Sequence, residues 1–315
     1  MNSVAVASRS FSKNVVLREK LKSKYKNVVF NESGRSLSGS DLVNFLKGHD
    51  MAITALEKID SELLSKLPEL KVIGKYGVGL DMIDLFAMNQ FGVKLGWTGG
   101  VNKRSVSELV IASAIHLLHK AIYANQTVKD GQWSQITGKQ LSNCVFGIVG
   151  CGHIGKDLVN LLRPFGCDIL VHDIKNYQDF YETNKITSVG IERLMTESDI
   201  ISLHLPLDES TENIINGNRL KMMKQGSILI NLARGGLVDE VTLAKLLRED
   251  KLAGAALDVF RQEPPGRNEL IYLDNVFVTP HIGGSTEEAI LAMGFAAIEG
   301  LSNPKDPLYF LDNYS

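Results

Sequence analysis

Cysteine is scarce in this chain. Its 315 residues include three, Cys144, Cys151 and Cys167, and no CxxC pair. Three thiols cannot build a disulfide framework, so a reducing cytoplasm is the expected compartment. Neither charge is in excess. Lys and Arg number 34 and Asp and Glu 36, a net charge of −2. That leaves no electrostatic footprint for nucleic acid or an anionic membrane surface. No apolar run reaches 18 residues, so no membrane-spanning helix is expected. The opening residues, MNSVAVASRSFSKN, lack the basic-then-apolar pattern of a secretory signal. Neither HExxH nor paired CxxC spacing occurs, so no metal site is expected. Repeats, low-complexity tracts and proline-rich linkers are also missing.

What is present is an ordinary globular mix, 44% apolar and 22% charged. At about 150 residues per domain, the length suggests two domains. Short apolar runs alternate with amphipathic stretches. The runs are VFGIVG (145–150), DILVHD (168–173), DIISLHL (199–205), SILINLA (227–233), AALDVF (255–260) and NVFVTP (275–280). Continuous runs rich in Val and Ile read as strands buried on both faces. Helical patterns lie between them at 153–164, 190–197, 211–223 and 239–250. This succession predicts an α/β fold with a doubly wound parallel sheet. Before residue 100 the rhythm is shorter, with strands expected at 27–30, 50–54, 71–75 and 92–96. Helices are expected there at 41–47, 60–66 and 81–91. Residues 102–130 read as one long bridging helix, with Ser105 and Glu108 spaced as a capping box and Gly131 as its stop. The stretch 286–301 is expected to return to the first unit.

Gly150-Cys151-Gly152-His153-Ile154-Gly155 is a GxGxxG motif. Alone it is weak. Here it follows a strand run and opens a helix pattern. Gly150 permits a tight turn, Gly152 lets a pyrophosphate approach the backbone, and Gly155 permits close helix–strand packing. The helix N-terminus offers free N–H groups to phosphates. Asp173 ends the next strand, where a carboxylate accepts ribose hydroxyls and repels a 2′-phosphate. NAD is therefore favoured over NADP. The plainer alternative is an empty glycine turn with a capping Asp.

Arg234, Glu263 and His281 follow three successive strand runs. In a doubly wound sheet, ligands bind beyond the carboxyl ends of the strands. The three side chains are thus expected at the edge that holds the glycine loop. A guanidinium holds a carboxylate through paired hydrogen bonds. An imidazole exchanges a hydroxyl proton as hydride moves, and a neighbouring carboxylate orients it and favours its charged form. Each also has a plain structural use: a turn cap for Arg234, a solvated loop carboxylate for Glu263, a satisfied histidine for His281.

The chain resembles the D-isomer-specific 2-hydroxyacid dehydrogenases, nearest the phosphoglycerate dehydrogenase branch. The resemblance covers roughly residues 50–300. It rests on KYGVGLDMID (75–84), GIVGCGHIG (147–155), SLHLPLDEST (202–211), NLARGGLVDE (231–240), ALDVFRQEP (256–264) and TPHIGGS (279–285). It implies a Rossmann NAD domain (102–284) inserted in a smaller flavodoxin-like substrate domain (1–101 with 285–315), with catalysis in the cleft. It puts the catalytic roles on Arg234, Glu263 and His281. It puts NAD contacts on Gly150, Gly152, His153, Ile154, Gly155, Asp173, Pro206, Leu232 and Ala233, with Asp258, Gly283 and Gly284 completing the set. Asp258 matches the carboxylate that binds the nicotinamide carboxamide. The backbone of Lys75, Tyr76, Gly77, Val78 and Gly79 matches the loop that holds the substrate carboxylate. Family members usually dimerise through the NAD domain, including a helix like 102–130.

This sequence departs from the family at two points. Lys75 stands where phosphoglycerate dehydrogenases often carry Arg, which keeps the charge and loses the fork. Trp97-Thr98-Gly99 replaces the common Asn-Thr-Pro, so Trp97 serves either the substrate pocket or packing. The end at Ser315 leaves no room for a C-terminal regulatory domain, so serine feedback is not expected. Cys151 reads as a packing residue, His116 and His119 as core or interface groups, and Arg18–Lys26 as a solvated helix face. His204 lies either at the cofactor or behind it. The expected reaction moves hydride between NAD(H) and a small D-2-hydroxy acid or its 2-oxo counterpart. Candidate substrates are 3-phosphoglycerate, glyoxylate and hydroxypyruvate. The alternative is an NAD(H)-sensing binding protein like the corepressors of this fold family. Those relatives keep the same three residues, but this chain shows no long disordered tail. Formate oxidation is disfavoured because an amide, not a carboxylate, partners the histidine there.

Overall fold

The computed structural model describes residues 3–312. The chain forms two compact units. One comprises the residues up to Asn102 and those from Thr286 onward; the other is Lys103–Ser285.

The first unit opens with β1 (Ser3–Val6), α1 (Arg9–Lys13), α2 (Val15–Lys24), β2 (Asn27–Phe30) and α3 (Gly39–Leu46). It continues with β3 (Met51–Thr54), α4 (Ser61–Leu64), β4 (Val72–Lys75), α5 (Leu85–Gln90) and β5 (Lys94–Gly96). The second unit holds α6 (Lys103–Leu118), α7 (Ala121–Lys129), β6 (Val145–Val149), α8 (His153–Leu162), β7 (Asp168–His172), α9 (Gln178–Asn184) and β8 (Thr187–Ser188). Then come α10 (Ile191–Glu197), β9 (Ile200–Leu203), α11 (Gly217–Met222), β10 (Ser227–Asn231), α12 (Glu240–Arg248), β11 (Leu252–Leu257) and β12 (Val276–Val278). Finally α13 (Glu287–Ser302) and α14 (Tyr309–Asp312) belong to the first unit.

Both sheets are parallel. The first has order β2-β1-β3-β4-β5, the flavodoxin-like arrangement. The second has order β12-β11-β10-β9-β6-β7-β8, the Rossmann arrangement with one added strand. The interior strands of each are buried on both faces, which explains the unbroken apolar runs. In the second unit Phe146, Ile148 and Ile230 point to the α6/α8 side, while Val149, Leu203 and Leu229 point to the α10–α12 side. In the first unit α13 lies directly on β4 and β5. A Cβ on Gly96 would stand 2.3 Å from the Gly300 carbonyl, so only glycine lets that helix sit so close.

Several sequence expectations need correction. An interior strand of the first sheet, β1, is absent from the strand candidates. Its run, VAV, is only three residues long, yet all three are fully buried. Residues 102–130 are not one helix. Lys120 adopts a left-handed φ of 53°, and α6 and α7 diverge by 62°. Ser105 does not cap α6 but sits inside it, where its hydroxyl donates to Gly283 O at 2.6 Å. Gly131 does lie just past α7, at φ 80°. The helix expected at 211–223 shortens to α11. Asp208 accepts the N–H groups of Ser210 and Thr211 in a turn, and Asn216 caps the later start. The run 255–260 is displaced, because β11 spans Leu252–Leu257 and Val259 and Phe260 are apolar through loop burial. Among the described residues, no single helix is long and apolar enough to cross a membrane.

Candidate active site

The glycine loop joins β6 to α8. Gly150 has φ 98°, and a Cβ there would meet His204 O at 2.5 Å. A Cβ on Gly155 would stand 2.2 Å from Gly150 O. These contacts require glycine and bring α8 hard against the strand edge. Gly152 is the α8 N-cap, so no side chain closes off the first-turn N–H groups. Partial burial lowers the pKa of His153, with Lys103 and Lys156 adding to the effect, which favours its neutral imidazole at this helix end. Asp173 sits just after β7. Its Oδ2 accepts Cys151 N–H at 2.6 Å and its Oδ1 accepts Lys175 N–H at 2.7 Å. The carboxylate is thereby fixed beside the glycine loop.

Arg234 lies on the loop after β10. Asn231 shapes that loop: its Nδ2 donates to Arg234 O at 2.7 Å and its Oδ1 accepts Ala233 N–H at 3.1 Å. The guanidinium Nη1 donates to Ala233 O at 2.7 Å. Leu232 and Ala233 are buried beneath. Glu263 stands after β11, its Oε1 accepting Phe260 N–H at 3.2 Å. Its Oε2 is 2.7 Å from His281 Nδ1, and half of the His281 side chain stays exposed.

His281 has a left-handed backbone, φ 55°, uncommon outside glycine. Asp258 holds it there. Asp258 O accepts His281 N–H at 2.8 Å. The Asp258 carboxylate, 1% exposed, takes Thr279 Oγ1–H at 2.5 Å, Ile282 N–H at 2.7 Å and Gly283 N–H at 2.7 Å. Gly284 follows, partly exposed. Asp258, Thr279 and Asn231 therefore act as loop anchors, a role that local pattern did not show. The available signal was a polar residue ending an apolar run.

His204 directly follows β9. Burial pushes its imidazole down to about 3. Its Nε2 lies 3.0 Å from Ser202 Oγ, and its buried Nδ1 has no partner among the described residues. Pro206 follows, its carbonyl accepting Thr211 Oγ1–H at 2.8 Å. The glycine cradle, the uncapped helix end and the strand-end carboxylate Asp173 fit a dinucleotide. No group of three or more His, Cys, Asp or Glu among the described residues could hold a metal.

The loop Lys75–Gly79 belongs to the first unit. Tyr76 N–H donates to Thr54 O at 2.8 Å, so it continues the sheet ladder. Among the described residues, no acceptor meets the N–H groups of Gly77, Val78 and Gly79. The Trp97 indole packs edge-on against Phe310, centroids 5.5 Å apart, and donates to Val78 O at 3.2 Å.

The fold and the glycine loop define a two-unit α/β chain with a Rossmann-type dinucleotide domain. The family model described as "D-isomer specific 2-hydroxyacid dehydrogenase, NAD binding domain" matches residues 111–283. A D-3-phosphoglycerate dehydrogenase of Haemophilus influenzae is 36% identical over 83% of this chain and 65% of its own length. A glyoxylate reductase of Thermofilum pendens is 36% identical over 84% of this chain and 80% of its length. A D-lactate dehydrogenase of Aquifex aeolicus, solved with NAD and lactic acid, superposes with a TM-score of 0.84 at 27% identity, covering 96% of this chain and 94% of that one. The chain belongs to the D-isomer specific 2-hydroxyacid dehydrogenase family, with phosphoglycerate dehydrogenases among its relatives, and its cofactor is NAD.

Proposed function

We propose that this chain interconverts a small D-2-hydroxy acid and its 2-oxo acid. The observation that carries the reading is the 2.7 Å His281–Glu263 pair, on the same strand edge as Arg234 and the glycine loop. Nδ1–H donates to Glu263, which leaves Nε2 to exchange the proton of the C2 hydroxyl. In oxidation the C2–H leaves with its electron pair as hydride, the O–H proton passes to His281 Nε2, and C2 becomes a carbonyl carbon. NAD(H), when bound, takes up or returns the hydride. Arg234 binds the substrate carboxylate and polarises the C2 oxygen; in the first unit, the N–H groups of Gly77, Val78 and Gly79 are likewise assigned to a substrate carboxylate. In this reading Gly150, Gly152, His153, Ile154 and Gly155 hold the pyrophosphate, and Asp173 the ribose.

Two further features belong to the proposal. The chain pairs as a homodimer through α7, which carries exposed Ile122, Tyr123 and Val128. It works in a reducing compartment such as the cytoplasm, consistent with Cys144, Cys151 and Cys167 all being free.

The test is NADH oxidation followed by absorbance with glyoxylate, hydroxypyruvate, phosphohydroxypyruvate and pyruvate. Turnover is expected for at least one. His281→Ala should lower kcat by about 10²–10⁴-fold while NADH still binds. Arg234→Ala should chiefly abolish carboxylate binding. Wild-type rates in His281→Ala would refute the role given to that residue.

A further inference from the structure

Lys75 is the one cation within the loop that, on the reading just proposed, receives the substrate carboxylate. The inference here rests on that reading. The Lys75 side chain is 5% exposed. Its Nζ donates to Ala55 O at 2.5 Å and lies 3.4 Å from Tyr76 O. It sits beneath Gly77, 3.4 Å from where a Cβ there would stand. The other side of the same peptide segment is also held. Glu57, 5% exposed, accepts Ala55 N–H at 2.6 Å. Lys75 and Glu57 thus clamp Ala55 between an ammonium donor and a carboxylate acceptor. Beside them Thr54 pairs in register with Lys75 across β3 and β4. Tyr76 is pinned as well, its ring edge-on to Phe11 at 5.5 Å.

Two carbonyls of this loop are therefore drawn to the protein. Tyr76 O faces the ammonium, and Val78 O faces the Trp97 indole. A short loop whose carbonyls are held inward leaves its N–H groups for an external anion. Those of Gly77, Val78 and Gly79 are the ones without a protein acceptor.

We propose that Lys75 is a positioning residue. Its ammonium ties the loop to Ala55 and orients the three N–H donors, and it does not recognise a substrate phosphate. The preferred substrates are accordingly unphosphorylated small 2-oxo acids. Lys58, another cation on this strand edge, is engaged by Asp60 at 2.9 Å.

The experiment compares steady-state NADH oxidation with hydroxypyruvate and phosphohydroxypyruvate. Wild type should show the higher kcat/KM with hydroxypyruvate. Lys75→Met should raise KM for both acids by about tenfold or more, with kcat less affected and their kcat/KM ratio held within about threefold. If Lys75→Met does not fold, Trp97→Phe tests the same idea. It keeps an aromatic against Phe310 and removes one loop hydrogen bond, raising KM about fivefold for both acids. A wild-type preference for the phosphorylated acid overturns the proposal. So does a loss in Lys75→Met confined to that acid. Absence of turnover with every 2-oxo acid, NADH still binding, overturns the dehydrogenase reading and this proposal with it.

Discussion

Replacing Asp258 with Asn is the sharpest probe of how the His281 loop is held. The change is nearly isosteric, so packing is preserved and hydrogen bonding is not. The carboxylate accepts three donors: Thr279 Oγ1–H and Ile282 N–H on Oδ1, Gly283 N–H on Oδ2. An amide offers one oxygen. In its better orientation that oxygen keeps Thr279 and Ile282, and its NH₂ then opposes the Gly283 N–H. One charge-assisted bond is lost, worth about 1.5–3 kcal/mol, and a buried N–H is stranded at about 1–3 kcal/mol. The two surviving bonds weaken, because the acceptor is no longer ionised. The sum is about 3–5 kcal/mol, a large part of the roughly 5–15 kcal/mol of a folded domain. In a unit of this size that lowers Tm by on the order of 10 °C. Urea denaturation of Asp258→Asn beside wild type, followed by circular dichroism, measures it. Thr279→Val, which removes only the hydroxyl, should cost about 1 kcal/mol. Activity should fall with stability, since Thr279, Ile282 and Gly283, which flank His281, lose or weaken the contacts that hold its loop. Asp258→Asn with stability within about 0.5 kcal/mol of wild type would show that this carboxylate does not anchor the loop.

The remaining predictions concern pH, packing and thiols. Burial pushes the His204 imidazole down to about 3, so the folded chain resists a proton that the unfolded chain takes up near pH 6.5. Stability should be full above about pH 6.5 and fall on acidification toward 3, by about 1.4 kcal/mol at pH 5.5. His204→Gln should flatten that part of the urea-midpoint profile, and an unchanged acid slope refutes the assignment. Gly155→Ala drives a Cβ to 2.2 Å from Gly150 O. It should cost about 1–3 kcal/mol and weaken NADH binding, read by fluorescence titration. Burial raises all three thiols, Cys151 and Cys167 to about 11, so native protein at pH 8 should react slowly with Ellman's reagent and fully only after denaturation. Fast labelling of the native chain contradicts it.

The legible parts of the fold were those coded locally. Buried parallel strands read as unbroken apolar runs, so β6, β7, β9 and β10 were found within a residue or two. The glycine loop was readable because strand, turn and helix signals coincide there. Arg234, Glu263 and His281 were found as residues at strand ends. What local pattern hid was pairing over long sequence separations. Asp258 lies 25 residues from Gly283, and Lys75 lies 20 from Ala55. Nothing in either neighbourhood announces a partner. The left-handed Lys120 that breaks the long helix is equally silent, for Lys ordinarily favours helix. β1 escaped because a three-residue run of small apolar residues carries too little periodicity to separate strand from helix.

A division of labour follows from these pairings. The residues proposed to meet substrate sit on loops, while the residues that hold them end buried strands. Asn231 ends β10 and sets the Arg234 loop; Asp258 follows β11 and sets the His281 loop; Lys75 ends β4 and sets the Gly77–Gly79 loop. Strand ends are held by the sheet ladder and by packing on both faces, so they supply a rigid reference that a loop cannot supply for itself. Changing a loop residue removes a contact but leaves the geometry. Changing an anchor leaves every reacting group in place chemically and shifts where it points, and misplacement of about 1 Å can cost a hundredfold in rate. Anchor variants should therefore lose stability and activity together, whereas His281→Ala should lose activity alone.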